Sequence, residues 1–224
     1  MPRSLIPAAL AAILTFSLVC STAIRHGHAD VPMAETADQI QPLGVGDLAP
    51  RFVVETVESD TFDFNPEALD RPVMLLVFRG GWCPYCNIYL SDMRHVIPEI
   101  RAMGIDVMFL SGDRSELLYE SLEHQAKEDI EGLDYTILSD ADAQASIALG
   151  IAFRAGQRTI DYVQKKGDGY RKSSMERHGI LPVPAVFAIG TDGVIAFTFI
   201  NPDYKKRLPA DDLLATARAI AAAD

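Results

Sequence analysis

The sequence predicts an α/β fold with a mixed central sheet flanked by helices, and three features carry that prediction. Val73 to Phe78 is an unbroken apolar run, the pattern of a strand covered on both faces. Segments of helical period alternate with further short apolar runs along the chain, as layered α/β domains require. Near the C-terminus, Val186 to Ile189 and Ile195 to Phe199 flank Thr191-Asp192-Gly193, a turn signal that makes one pair of strands antiparallel.

Taken in order, Phe52-Val53-Val54 predicts a short first strand, and Arg71-Pro72 leads into the buried one. After Cys86, the positions Ile88, Met93, Val96, Ile97 and Ile100 recur at helical spacing up to Gly104, with Pro98 expected to kink the helix. Asp106 to Leu110 reads as a strand, Ser115 to about Asp129 as a helix with Ser115 as its N-cap, and Tyr135 to Leu138 as a strand. Ala141 to Leu149 predicts a helix ended by Gly150, and Asp211 to Ala222 an Ala-rich closing helix. No internal repeat is present.

The N-terminus is of another kind. Met1 and Arg3 precede Ser4 to Ile24, which carries no charge, and Ser21-Thr22-Ala23 and Gly27-His28-Ala29 both fit a signal peptidase site. Residues 1–29 are therefore expected to be a signal peptide or, if never cut, a membrane anchor, since 21 uncharged residues suffice to span a bilayer. The segment around Cys20 lacks the residues of a lipobox. Residues 30–45 read as a loose linker, and residues 46–224 as the folded domain, exported to the periplasm or another extracytoplasmic space. Loss of Arg3 and Arg25 takes the formal charge from −11 to −13, which argues against nucleic acid as a partner; a membrane association is expected only through an uncleaved N-terminus.

Processing would leave two cysteines, Cys83 and Cys86, in a compartment where thiols oxidise. They are too few for a disulfide framework, so the pair is redox-active or half of a metal site; no second CxxC or Cys-His pair completes zinc ligation. The run Phe78-Arg79-Gly80-Gly81-Trp82-Cys83-Pro84-Tyr85-Cys86 takes a buried strand through two glycines into a helix starting at Cys83. There the helix dipole and free N–H groups favour a thiolate, so Cys83 is expected to have the lower pKa and to attack, with Cys86 one turn on to resolve. Trp82 is expected to pack beside the pair, and Arg79 to lie at the surface or lend it positive charge.

Trp-Cys-x-x-Cys after a buried strand resembles thioredoxin, and Cys-Pro-Tyr-Cys is the glutaredoxin tetrad. Gly46-Asp47-Leu48-Ala49-Pro50-Arg51-Phe52 and Phe187-Ala188-Ile189-Gly190-Thr191-Asp192-Gly193 resemble the alkyl hydroperoxide reductase/thiol-specific antioxidant family, the peroxiredoxins. From about Gly46 to the C-terminus the chain resembles most the peroxiredoxin-like group that carries a thioredoxin-type CxxC. That resemblance implies a thioredoxin-like fold and a thiol–disulfide oxidoreductase of antioxidant type, catalytic at Cys83 and Cys86. Its partners would be a thioredoxin-like redox protein as donor or acceptor, and small thiols or hydroperoxides. It also aligns Cys86 with the peroxidatic cysteine, and here the chain departs from the family. The Thr or Ser three residues before that cysteine is Cys83, the Pro seven before is Arg79, and the Arg of the late strand is Pro184. Both groups that polarise peroxide are thus expected to be missing, which favours disulfide exchange over thiol peroxidase. Val183-Pro184 resembles the thioredoxin cis-proline pair, so Pro184 is expected to be catalytic in position, and Val183, with Trp82 and Arg79, to contact substrate.

The acid that serves the resolving thiol of thioredoxins falls at Val77; Glu55 and Asp63 are candidates to replace it. His95, His124 and His178 are scattered. A copper-binding thioredoxin-fold chaperone is the alternative from another class, with His178 as third ligand, although such proteins space their cysteines CxxxC. No nucleotide, haem or flavin motif is present, so no cofactor or metal is expected. Arg154 to Arg177 holds seven basic and three acidic residues, read as a solvated insertion or a docking rim for an acidic partner.

Overall fold

The computed structural model describes residues 33–165, 167 and 175–223. The predicted export segment and its cleavage sites lie outside the described residues, as do positions 166 and 168–174 of the basic segment. Phe52–Glu55 (β1) and Thr61–Phe64 (β2) form an antiparallel hairpin. Val73–Phe78 is β3, Asp106–Ser111 β4, Thr136–Ser139 β5, Ala152–Arg154 β6, Ile180–Pro182 β7, Ala185–Ile189 β8 and Ile195–Ile200 β9. Seven of them make one sheet in the order β2-β1-β5-β4-β3-β8-β9, with β3, β4 and β5 parallel and the rest antiparallel; β6 and β7 form a separate pair. The expected mixed sheet is present, and the predicted late hairpin is β8–β9.

Period-two alternation sorts β3 into two layers. Met74, Leu76 and Phe78 face the core shared with the helices Pro84–Met93 (α1), Ile97–Ala102 (α2) and His124–Ile130 (α3). Val73, Leu75 and Val77 face the other core, with Phe52, Phe64, Leu110 and Leu149. All six are buried, each contributing roughly 1.5–3 kcal/mol by leaving water. The remaining helices are Gln144–Ala148 (α4), Gln157–Lys165 (α5), the single turn Met175–His178 (α6) and Ala210–Ala221 (α7).

Several expectations are corrected. The helix after Cys86 is two helices, and Pro98 sits in the first turn of α2, where its missing N–H costs no hydrogen bond. Ser115 is not an N-cap: its hydroxyl donates to the Glu55 carboxylate at 2.6 Å, a 3-10 turn spans Ser115–Leu117, and helix resumes only at His124. Residues 33–45 are not loose. Ala34 bridges to Phe153, the Leu43 N–H donates to the Leu149 carbonyl at 3.1 Å, and Ala37, Ile40 and Leu43 pack on the core. Strand β2, the β6–β7 pair and α5 have no counterpart in the sequence reading.

Register places the chemistry. Phe78 pairs with Ser111 and Ser111 with Ser139, while Val77 pairs with Ala185 and Ala185 with Ile200. The chain therefore leaves β3, β4, β5 and β9, and enters β8, along one edge of the sheet. Arg79, Asp113, Pro184 and the segment from Asn201 all start from that edge.

Candidate active site

Two glycines turn β3 into α1. A Cβ on Gly80, at φ +139°, would meet Trp82 Nε1 and Asp113 Oδ1, and one on Gly81 would fall on the backbone of Ser121. The Gly81 N–H donates to the buried Asp113 carboxylate at 2.7 Å. Asn87, also buried, locks the start of α1. Its amide donates to the carbonyls of Gly81 (2.6 Å) and Cys83 (3.1 Å), and its Oδ1 accepts from the Glu123 N–H at 2.9 Å. Cys83 is the N-cap and Pro84 follows in the first turn. Both thiols are free and closed off from solvent, Cys83 at 1% exposure and Cys86 at 0%.

The segment Asn201 to Pro209, between β9 and α7, covers this pair. Arg207 Nη2 stands 3.5 Å from Cys86 Sγ, and its guanidinium carbon lies 6.0 Å from the centre of the Tyr89 ring. Tyr204 meets Tyr85 edge-on, with ring centroids 5.6 Å apart. Arg79 is buried between Trp82 and Tyr204, 5.2 Å and 4.7 Å from their ring centres, distances at which a guanidinium is attracted to a π face. Lys205 lies 5.9 Å over Tyr85.

The Arg207 charge falls on Cys86 and not on Cys83, the thiol that the helix N-terminus was expected to activate. Burial raises the Cys86 pKa, but the hydrogen bond from Cys83, the Arg207 guanidinium, and the backbone N–H and side chain of Arg79 together bring it down to about 6. Cys83 is pushed up, first by its hydrogen bond with Cys86 and then by burial, so it holds its proton and donates it toward the Cys86 thiolate. The helix dipole acts on both first-turn thiols, most on Cys83, whereas the guanidinium contact is made to Cys86.

The other predicted residues divide. Trp82 and Arg79 adjoin the cysteines as expected, with Arg79 buried rather than on the surface. Pro184 stands at the same sheet edge, but the described residues contain no cis peptide bond, so the bond from Val183 to Pro184 is trans. The Val183 N–H donates to the Ile151 carbonyl at 2.8 Å, so that backbone is paired within the chain rather than offered to an extended substrate. Neither acid candidate serves the thiols: Glu55 accepts from Ser115, and Asp63 pairs with Arg51. His178 is no third ligand, because Nε2 faces the Ala141 carbonyl and Nδ1 accepts from the Ile180 N–H. Among the described residues no cluster of His, Cys, Asp and Glu is arranged to hold a metal. Of the basic segment, Arg154 pairs with Glu35 and Arg177 with Asp142.

Comparison with known proteins bears on the family and the fold. The sequence pattern of the AhpC/TSA family matches residues 45–198. The chain belongs to the AhpC/TSA family. Peroxiredoxin Bcp of Escherichia coli K12 is 25% identical over 160 residues, 71% of this chain and 87% of that protein. The thiol-disulfide oxidoreductase ResA of Bacillus thuringiensis is 21% identical over 168 residues, 75% and 76% of the two chains. Among solved structures, peroxidoxin BcpB of Mycobacterium tuberculosis has a TM-score of 0.54 at 20% identity, covering 80% of this chain and 98% of that one. A peroxiredoxin-like protein of Aquifex aeolicus has a TM-score of 0.60 at 20% identity, covering 80% and 89%. The fold is thus thioredoxin-like, and this AhpC/TSA chain is a thiol-dependent oxidoreductase. Sequence reasoning missed Arg207, Tyr204, Tyr89, Asn87 and Asp113. Tyr89 and Asn87 carried a signal, lying three residues after Cys86 and four after Cys83 on the same helix.

Proposed function

We propose that this AhpC/TSA chain cycles Cys83 and Cys86 between dithiol and disulfide while reducing a small hydroperoxide, with Cys86 attacking and Cys83 resolving. The observation that carries this reading is the Arg207 guanidinium 3.5 Å from a fully buried Cys86. It supplies from the β9–α7 segment the positive charge that Pro184 cannot. The Cys86 thiolate attacks the terminal oxygen of ROOH; the S–O bond forms, the O–O bond breaks, and its electron pair leaves with RO⁻, which takes the Cys83 proton. The Cys83 thiolate then attacks the sulfenic sulfur, closing the disulfide and releasing hydroxide, which solvent protonates. Electrons return from a protein dithiol or a small thiol by exchange. No further cofactor enters this cycle.

Disulfide exchange begun by Cys83 is the second reading, favoured by its N-cap position and by the ResA relatives. Stopped-flow oxidation by hydrogen peroxide and reduction of insulin disulfides separate the two. A peroxide rate constant well above that of free cysteine is expected. A rate equal to free cysteine, together with efficient insulin reduction, would transfer the assignment to exchange.

Export belongs to the same proposal, supported by the uncharged run Ser4 to Ile24. Mass spectrometry of the protein from its native host should find a mature N-terminus at Ile24 or Asp30; an intact Met1 in the soluble cytoplasmic fraction would refute it.

A further inference from the structure

Buried polar atoms are paired in about nine cases out of ten. Around Cys86 that rule fails repeatedly. Arg79 Nε, Trp82 Nε1, Tyr89 Oη and Arg207 Nε are buried without a hydrogen-bond partner among the described residues. All four belong to side chains already tied to the site: Arg79 lies over Trp82, and Arg207 bridges Cys86 and Tyr89. Tyr89 is 8% exposed and one turn after Cys86 on α1, so its ring and the Cys86 sulfur share a face. Tyr89 Oη and Arg207 Nε, unpaired donors on the two side chains gathered at Cys86, mark a place for an oxygen-bearing ligand that accepts hydrogen bonds, and leaving them unfilled costs the desolvation of each.

Resting on the hydroperoxide reading above, we propose that Tyr89 is a catalytic residue whose hydroxyl donates a hydrogen bond to the leaving oxygen of the hydroperoxide as the O–O bond breaks. Negative charge passes from Cys86 Sγ to that oxygen during the step, and a preorganised donor in a site closed to water stabilises the charge where it arrives. Burial, opposed in part by Arg207, holds the Tyr89 phenol above its ordinary pKa, so it stays protonated and available as a donor. Arg207, held by the carbonyls of Tyr204 and Lys206, keeps one nitrogen on the sulfur and leaves Nε for the attacked oxygen.

Tyr89→Phe removes the hydroxyl and keeps the ring. Because that hydroxyl has no partner to lose, the melting temperature should hold or rise. Oxidation by hydrogen peroxide should slow by about a hundredfold, the scale of losing one donor to a developing oxyanion. Alkylation of Cys86 by iodoacetamide, which forms no oxyanion, should change less than about twofold on that same principle. Equal losses of both rates would make Tyr89 structural and overturn the assignment, as would an unchanged peroxide rate in Tyr89→Phe beside a fast wild type. A wild-type peroxide rate no better than free cysteine would instead sink the hydroperoxide reading itself.

Discussion

Cys83→Ser should still be oxidised by hydrogen peroxide at Cys86, and should stop there. The serine hydroxyl can make the hydrogen bond to the Cys86 sulfur that Cys83 makes, while Arg207 and Arg79 remain, so the thiolate persists. What is lost is the resolving thiol. Intact-mass spectra should show a gain of one oxygen, trapped by dimedone, and with excess peroxide a second oxygen as the sulfinic acid. The wild type should instead lose two hydrogens and gain no oxygen, because Cys83 lies within hydrogen-bonding reach of Cys86, one helical turn away, and can close the disulfide. Cys86→Ser should react little, since burial keeps the Cys83 thiol protonated. Its thiolate fraction at pH 7 should fall below the roughly 3% of an ordinary thiol. If Cys86→Ser keeps the fast peroxide reaction and Cys83→Ser loses it, the roles are reversed and the helix-dipole expectation is restored.

Local features of the chain were legible and distant ones were not. Val73 to Phe78 announces a strand covered on both sides because its pattern lies within six consecutive residues. Cys83 and Cys86 announce their proximity because one helical turn joins them. Thr61-Phe62-Asp63-Phe64 alternates as a half-buried strand does, yet it is too short to stand out without its partner β1. Cys86 meets Arg207 across 121 positions, through a sheet register that no local pattern encodes. Comparing motifs position by position therefore located the missing family Arg at Pro184 and stopped there. The same geometry limits Pro184: it stands at the sheet edge, but the N–H of Val183 before it is already paired with the Ile151 carbonyl.

Arg207→Gln gives the second large effect. In the wild type, a Cys86 pKa of about 6 leaves about nine-tenths of the thiol ionised at pH 7. Gln is similar in length and polar but uncharged. Burial, the largest influence on Cys86, then acts against a weaker opposition, that of Cys83 and Arg79, and the pKa moves up toward or past the ordinary thiol value of about 8.5. At 8.5 only about 3% is thiolate at pH 7, so alkylation and peroxide reduction should both drop there, by up to about thirtyfold. The sign of the pH dependence follows from the reactive species. Only the thiolate attacks, so the rate rises with pH through the Cys86 pKa, near 6 in the wild type and higher in the variant. Near pH 9, where Cys86 is largely ionised in both proteins, the alkylation rates should converge. The peroxide rates should stay apart, because Arg207 Nε would still be missing from the attacked oxygen. Measuring iodoacetamide and peroxide rates from pH 5 to 9 on both proteins separates the two contributions. An alkylation midpoint that does not move would show that Arg207 does not set the charge on Cys86.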